Sequence, residues 1–148
     1  MCGIVGVTSS NNVSQKLIRS LLNLEYRGYD SCGLAIIKKR KIDIRKDTGP
    51  VHEVAETLRF AEMNGNIGIG HTRWATTGTV TKENAHPHKS STQDFALVHN
   101  GIVSNYRVLR DRLTDEGYTF QSETDTEVLV NLLDSHFKKE KDVETALR

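Results

Sequence analysis

The chain has 148 residues, the size of one ordinary domain. Its 20 Lys and Arg residues almost balance its 19 Asp and Glu residues, and the net charge of +1 excludes a chain that holds nucleic acid by bulk charge. No apolar run is long enough to cross a bilayer, and the N-terminus has neither a basic leader nor a long apolar stretch. We therefore expect one cytoplasmic domain over residues 1–148, with no nucleic-acid or membrane partner.

The first half of the chain alternates short apolar runs with amphipathic stretches. The apolar runs predict strands at residues 3–7, 33–37, 42–46 and 67–72. Ser14 begins a helix with leucines at helical spacing, and a second helix begins at Val51 and ends near residues 64–65. Four consecutive cations at 38–41 join two of the strands. Because this cluster is short and the chain is nearly neutral, it favours a solvated hairpin turn over a nucleic-acid patch.

The second half contains fewer strands and more helix. A loop is predicted at residues 74–92, and strands are predicted at 95–99 and 118–120. Ser104 is the predicted cap of a helix that ends before Gly117, while Thr124 and Glu127 form a capping box at the start of the next helix. Asp142 begins a last helix. The mixture of elements predicts an α+β domain in which helices cover a sheet.

Cys2 is one of two cysteines, and removal of Met1 would leave it as the first residue of the chain. The thiolate is the nucleophilic form of cysteine, and a free thiol with a pKa of about 8.5 needs a nearby base. The α-amino group of a terminal cysteine, with a pKa of about 7.7 to 8, is such a base. Cys2 is therefore a candidate nucleophile. The alternative is a small buried residue that packs beside Ile4.

Polar groups at the ends of the predicted elements complete a candidate amino-acid site. Arg73 is suited to clamp a carboxylate while Trp74 closes over it, although a structural ion pair and a core Trp would also account for them. Asn100 and Gly101 form either an oxyanion hole or a simple turn. Asp125 either binds an ammonium ion or interacts with its helix dipole. Together these groups predict a pocket for a zwitterion, and glutamine is the obvious substrate.

Metal and nucleotide sites have little support in the sequence. His71, His86, His88 and His99 fall within a modest stretch, but neither HExxH nor CxxC spacing occurs. Residues 65–70 are glycine-rich without the GxGxxG order. We expect no metal and no other cofactor.

Six motifs occur along the chain in the order found in a known family. They are MCGIVG, YRGYDS, HTRWAT, NAHPH, HNGI and SETDTEV. On these motifs, which span nearly the whole chain, the sequence resembles the glutaminase domains of glucosamine-6-phosphate synthases, which are class II glutamine amidotransferases. YRGYDS, HTRWAT and SETDTEV are the most specific. The resemblance implies an N-terminal-nucleophile hydrolase fold, an αββα sandwich.

The resemblance also implies a reaction and a set of site residues. Cys2, after loss of Met1, attacks the γ-amide of glutamine; ammonia leaves, and the resulting thioester is hydrolysed to glutamate. The implied site residues are catalytic Cys2, Asn100 and Gly101, carboxylate-binding Arg73 and Thr76, amine-binding Asp125, pocket-closing Trp74 and Arg27, which orients Cys2.

The chain departs from the family pattern in three ways. Thr77 stands where the family usually has His, and Cys32 stands where Ala is common. The family's glutaminase domain also continues beyond this chain, so the sandwich is expected to be truncated. The resemblance implies a sugar-isomerase domain or subunit, acting on fructose 6-phosphate, as the ammonia acceptor. Because a shortened sheet exposes its edges, we also expect a homo-oligomer, or a partner that supplies the missing strands. A non-catalytic glutamine-binding or assembly module and a glutaminase serving a different acceptor stay open as alternatives.

Overall fold

The computed structural model describes residues 2–75 and 79–147 of the chain. Its strands are β1 (Gly3–Thr8), β2 (Ser31–Lys38), β3 (Lys41–Thr48), β4 (Ile67–Arg73), β5 (His88–Lys89) and β6 (Ala96–Leu97). Its α-helices are α1 (Ser14–Leu24), α2 (Val51–Thr57), α3 (Tyr106–Asp115), α4 (Asp125–Glu140) and α5 (Val143–Ala146), and short 3₁₀ turns occupy Glu25–Arg27 and Phe60–Glu62. Within those ranges, no helix is both long enough and apolar enough to cross a bilayer.

The main sheet has four strands in the order β1-β4-β2-β3, and every neighbouring pair is antiparallel. In this register Gly3 lies opposite Thr72 on one side of β4, and Ser31 lies opposite Arg73 on the other. The first strand therefore begins beside the end of β4. This pairing brings Cys2 close to Arg73 although they are far apart in sequence.

One face of this sheet packs on α1 and α2. Leu17 and Leu21 of α1 are fully buried, and so are Leu34 and Ile36, which alternate on the same face of β2. Phe60, in the turn after α2, is also fully buried in this cluster. Each such side chain contributes about 1.5 to 3 kcal/mol when it leaves water, so this cluster is the main core of the domain.

The other face of the sheet is covered by the chain that leads into β5. Gly33 packs so tightly against the carbonyl of His86 that a side chain there would not fit. The small sheet of β5 and β6 packs in turn on α4, and α3 packs on α4 through Leu113, Tyr118 and Val128. The layers thus follow the order helix, sheet, sheet, helix.

Several local predictions are confirmed. The hairpin turn carries Lys39 and Arg40 at φ values of 48° and 64°, the left-handed pair that a two-residue hairpin requires. Thr124 caps α4 by accepting a hydrogen bond from the Glu127 backbone N–H, and Asp142 caps α5 through its side chain. These features depend on contacts within a few residues, which is why the sequence predicts them. The other half of the predicted capping box is wrong, because the Glu127 carboxylate accepts from the N–H groups of residues 121 and 122.

Other local predictions are wrong. Helix α3 begins after Asn105, without a side-chain cap from Ser104. Residues 118–120 form no strand, and Tyr118 instead packs against α4. The strand predicted at 95–99 shortens to β6, and the loop predicted at 74–92 contains β5. Helix α2 ends early because Arg59, at a φ of 51°, turns the chain out of the helix.

Candidate active site

A cavity of about 750 Å³ opens where β1 begins, where β4 ends, and where α4 begins. The residues predicted for the site that line it are Cys2, Arg27, Arg73, Trp74, Asn100, Gly101 and Asp125. Thr76, predicted to bind the substrate carboxylate, and Thr77 lie outside the described residues. The structure therefore brings together groups that the sequence spreads over more than a hundred residues.

The sulfur of Cys2 is held against the backbone that follows β4. Cys2 Sγ accepts a hydrogen bond from the Trp74 N–H at 3.3 Å, and its S–H faces the Trp74 carbonyl at 3.6 Å. The adjacent Gly3 N–H donates to Thr72 Oγ1 at 3.1 Å, which fixes the start of β1. Cys2 is a free thiol and only partly buried, so packing beside Ile4 does not account for its position.

The turn between α1 and β2 supports the residues that contact Cys2. The Asp30 N–H donates to the Arg73 carbonyl at 3.1 Å, and the Ala75 N–H donates to Asp30 Oδ2 at 2.8 Å. Gly28 lies directly on this backbone: a Cβ there would fall 2.7 Å from the carbonyl carbon of Arg73 and from the Trp74 nitrogen. The YRGYDS motif thus shapes the wall of the cavity.

Arg73 and Trp74 differ in their exposure. Arg73 is 6% exposed, and its Nη1 donates to the Thr79 carbonyl at 3.2 Å. Burial lowers the pKa of the Arg73 guanidinium, while the negative charges of a Cys2 thiolate and of Asp30 oppose that shift. Trp74 is 41% exposed and packs edge-on against Tyr29, which excludes the core position considered for it.

Asn100 and Gly101 lie next to Cys2 in the turn after β6. Asn100 Nδ2 donates to the Cys2 carbonyl at 3.4 Å, and Asn100 Oδ1 lies 2.9 Å from His71 Nε2. Gly101 has a φ of 155°, and a Cβ at this position would fall 2.8 Å from His99 Nε2. The turn thus requires glycine, and it places a side-chain amide and a backbone N–H side by side.

Asp125 is the first residue of α4 and, with Glu123, one of two acidic residues that line the cavity. Its Oδ2 accepts a hydrogen bond from the Val103 N–H at 2.8 Å, which ties the turn after Asn100 to the start of the helix. The carboxylate lies in the first helical turn, where the dipole also favours a negative charge. Its place in the first turn agrees with the helix-dipole interpretation, while binding of an ammonium ion by this carboxylate stays a prediction.

Other residues of the cavity were not singled out from the sequence as parts of an amino-acid site. They are His71, His86, His99, Ile102, Tyr106, Glu123, Thr124 and Thr126. For His71 a signal existed, because a residue two positions before Arg73 in a strand shares its face. From its sequence context alone, His71 is a candidate only for a metal ligand.

Three of the histidines form a cluster of contacting rings, in which His71 and His86 meet at a tilt of 31° and His86 and His88 meet edge to face at 76°. The centroids of the His71 and His86 rings are 4.2 Å apart, and those of His86 and His88 are 4.7 Å apart. Burial lowers the pKa of His71 to about 4, and it also lowers the pKa values of His86 and His88. Among the residues that the structure describes, no group of His, Cys, Asp and Glu side chains is arranged to hold a metal ion.

Comparison with known proteins identifies the family. A family model described as the glutamine amidotransferase domain matches residues 58–141, which is more than half of the chain. The chain belongs to this family. The matched segment of the glutamine amidotransferase domain contains Arg73, Asn100 and Asp125, and it begins downstream of Cys2.

Curated relatives of this amidotransferase domain share about half of its residues. The glutamine–fructose-6-phosphate aminotransferase of Methanococcus maripaludis is 48% identical over 143 residues, which cover 97% of this chain and 24% of that protein. The enzyme of the same name from Bradyrhizobium diazoefficiens is 51% identical over 138 residues, which cover 93% of this chain and 22% of that protein. The chain thus spans about a quarter of the length of these relatives.

Solved structures confirm the predicted amidotransferase-type fold. The glutamine phosphoribosylpyrophosphate amidotransferase of B. subtilis, complexed with ADP and GMP, matches with a TM-score of 0.79 at 28% identity, over 99% of this chain and 32% of that one. A structure described as the allosteric regulatory enzyme of purine biosynthesis matches with a TM-score of 0.82 at 29% identity, over the same shares of the two chains. The amidotransferase domain thus has its counterpart in part of a longer chain.

Proposed function

We propose that this chain hydrolyses the γ-amide of glutamine to glutamate and ammonia, with Cys2 as the nucleophile. The observation that carries the proposal is the convergence of Cys2, Arg73, Asn100 and Asp125 on one cavity of about 750 Å³. This volume is suited to a small ligand. Membership of the glutamine amidotransferase domain family supports the same reaction.

The charges of the cavity orient the substrate. The buried Arg73 binds the α-carboxylate of glutamine, together with Thr76, and Asp125 binds the α-ammonium. These contacts direct the side-chain amide toward Cys2. Arg27 helps to orient Cys2, and Trp74, on the loop at the cavity, closes the pocket and excludes water from the reacting atoms.

The reaction proceeds in two halves. Once Met1 is removed, the α-amino group of Cys2 takes the thiol proton, and Sγ attacks the amide carbon of the substrate. The negative charge that develops on the amide oxygen is stabilised by hydrogen bonds from Asn100 Nδ2 and the Gly101 N–H. The α-amino group returns the proton to the leaving nitrogen, and ammonia departs. Water then adds to the thioester, expels the thiolate and releases glutamate.

We further propose that the ammonia is used outside this chain. The curated relatives are named for an amide transfer to fructose 6-phosphate and are about four times as long as the segment they share with this chain. A sugar-isomerase domain or subunit, which makes glucosamine 6-phosphate, is the acceptor that fits. The chain works in the cytoplasm, where Cys2 stays reduced, as part of a homo-oligomer. The residues proposed for the hydrolysis require no metal or other cofactor.

A glutaminase assay tests the proposed function. Protein from which Met1 has been removed, as verified by intact mass, should release glutamate and ammonia from L-glutamine in equal amounts. The Asn100→Ala variant should lose roughly a hundred- to a thousandfold in kcat, the usual effect of removing one oxyanion donor. Calorimetric binding of glutamine without release of glutamate would instead support a non-catalytic glutamine-binding module.

The Asp125→Asn variant should raise the KM for glutamine with little change in kcat. The substitution removes the negative charge but keeps an oxygen that can accept the Val103 hydrogen bond. A charge-assisted hydrogen bond contributes about 1.5 to 3 kcal/mol, so the KM should rise roughly ten- to a hundredfold. Steady-state kinetics across a range of glutamine concentrations measures both constants.

Two comparisons make this experiment specific. The Asp111→Asn variant, on the exposed surface of α3, makes the same chemical change away from the cavity and should leave KM unaltered. Glutaramate, which is glutamine without its α-ammonium, should be hydrolysed equally well by the wild type and by Asp125→Asn. If Asp125→Asn lost activity equally with glutamine and with glutaramate, Asp125 would act only by stabilising the start of α4 and not by binding the ammonium group.

A further inference from the structure

His71 lies behind the proposed oxyanion hole and does not take part in the chemistry described so far. It is 1% exposed, and it occupies the strand face of β4 that carries Arg73. Its Nε2 is 2.9 Å from Asn100 Oδ1, while Asn100 Nδ2 is 3.4 Å from the Cys2 carbonyl oxygen. One amide group therefore connects the histidine to the backbone of the nucleophile.

The chemistry of these neighbours fixes the orientation of the amide. The Cys2 carbonyl can only accept a hydrogen bond, so the NH₂ end of Asn100 must face it. The oxygen end must then face His71, and this oxygen also can only accept. A neutral His71 ring must therefore carry its proton on Nε2, so that Nε2 can donate to the Asn100 oxygen. The His86 ring, stacked at 4.2 Å, holds the imidazole plane in place.

We propose that His71 is a positioning residue, which holds the Asn100 amide with its N–H groups toward Cys2 and the cavity and so maintains the oxyanion hole. The proposal rests on the proposed hydrolysis of glutamine. A hydrogen bond to the amide oxygen also polarises the amide, which makes Nδ2 a stronger donor. The benefit is largest when negative charge develops on the substrate oxygen, so His71 acts on kcat and not on substrate binding.

A pair of nearly matched variants separates this role from general packing. In His71→Gln the side-chain N–H can reach the position of Nε2, whereas the side chain of His71→Asn is one methylene shorter and falls short of Asn100. We expect kcat to fall roughly ten- to a hundredfold in His71→Asn and to recover most of that loss in His71→Gln, with KM for glutamine changed less than about threefold in both. His52→Gln, on the exposed surface of α2, is the control for loss of a histidine.

A double-mutant cycle with Asn100→Ala tests whether His71 acts through Asn100. In the Asn100→Ala background, His71→Asn should lower kcat less than about twofold further, because the group it positions is gone. If the fold-decreases in kcat of the two single variants multiply in the double variant, the proposal is overturned. Equal decreases in kcat for His71→Asn and His71→Gln would also overturn it. The rate of Cys2 alkylation by iodoacetamide, which needs no oxyanion hole, should be unchanged in both single variants if they are folded.

The ring tautomer gives a test that does not depend on glutamine hydrolysis. In wild-type protein labelled with ¹⁵N, the His71 ring should show a protonated Nε2 and an unprotonated Nδ1 at neutral pH. A proton on Nδ1 would contradict the positioning role even in an active enzyme. If the tautomer is as expected but wild-type protein does not hydrolyse glutamine, the proposed function fails and the assigned geometry of Asn100 stands.

Discussion

Replacing Cys2 by alanine is expected to abolish glutamine hydrolysis while glutamine still binds. The substitution removes the sulfur that attacks the amide and leaves Arg73 and Asp125, which bind the two charges of the amino acid. Loss of a covalent nucleophile typically lowers kcat by roughly 10⁴-fold or more. The expected result is therefore no detectable glutamate, with a dissociation constant for glutamine close to the wild-type value by calorimetry.

Cys32 provides the matched control, because it is the other cysteine of the chain. It is 1% exposed in the main core, and burial raises the pKa of its thiol to about 12, so it is a poor nucleophile. The Cys32→Ala variant should keep its hydrolysis rate, and iodoacetamide should label Cys2 alone in the folded wild type. Residual turnover in Cys2→Ala near the wild-type rate would remove Cys2 from the proposed mechanism.

Mild acid is expected to destabilise the fold through the buried cluster of His71, His86 and His88. Burial lowers the pKa of His71 to about 4 and depresses the pKa values of His86 and His88, whereas an unfolded histidine titrates near pH 6.5. Below pH 6.5 the unfolded chain therefore takes up protons that the folded chain does not. Linkage then requires the free energy of unfolding to fall as the pH falls, by at most about 1.4 kcal/mol per pH unit for each histidine.

The three buried histidines together give a slope of up to about 4 kcal/mol per pH unit just below pH 6, an effect large enough to unfold a marginally stable domain. Urea unfolding measured at pH 7.0, 6.0 and 5.5 reports this slope, which should diminish above pH 7. The His88→Gln variant removes one of the three titrating groups, so it should reduce this slope by about 1.4 kcal/mol per pH unit. A free energy of unfolding that is constant from pH 7 to pH 5.5 would refute this explanation.

Much of the local structure of this chain could be predicted, because it depends on short-range interactions. The spacing of leucines marks α1, and the run of cations between apolar strands marks the turn at Lys39 and Arg40. Thr124 lies three residues before the backbone N–H that it caps, so both partners are visible in one stretch of sequence. The predicted cap at Ser104 is wrong because Asn105 takes the N-cap position of α3, and no side chain makes a capping hydrogen bond there.

The types of residue in the candidate site were also readable from the sequence, but their arrangement was not. The guanidinium of Arg73 and the carboxylate of Asp125 predict a zwitterionic substrate, and the thiol of Cys2 predicts a nucleophile beside it. Their proximity depends on the pairing of β1 with β4, which places Cys2 Sγ 3.3 Å from the Trp74 nitrogen. That register is set by which face of each strand is buried, and this depends on helices elsewhere in the chain.

The histidines show most clearly what only the tertiary structure decided. In the sequence, His71, His86 and His88 suggest at most a metal site, and their spacing gives that interpretation little support. Folding brings their rings into contact and places Nε2 of His71 2.9 Å from Oδ1 of Asn100, so their chemistry is set by burial and, for His71, by a partner 29 residues away. The sequence by itself determined the chemical groups and the short-range caps and turns, because those interactions act between near neighbours. The tertiary structure decided which groups meet and which protons they carry, because burial and hydrogen bonding between distant residues exist only in the folded chain.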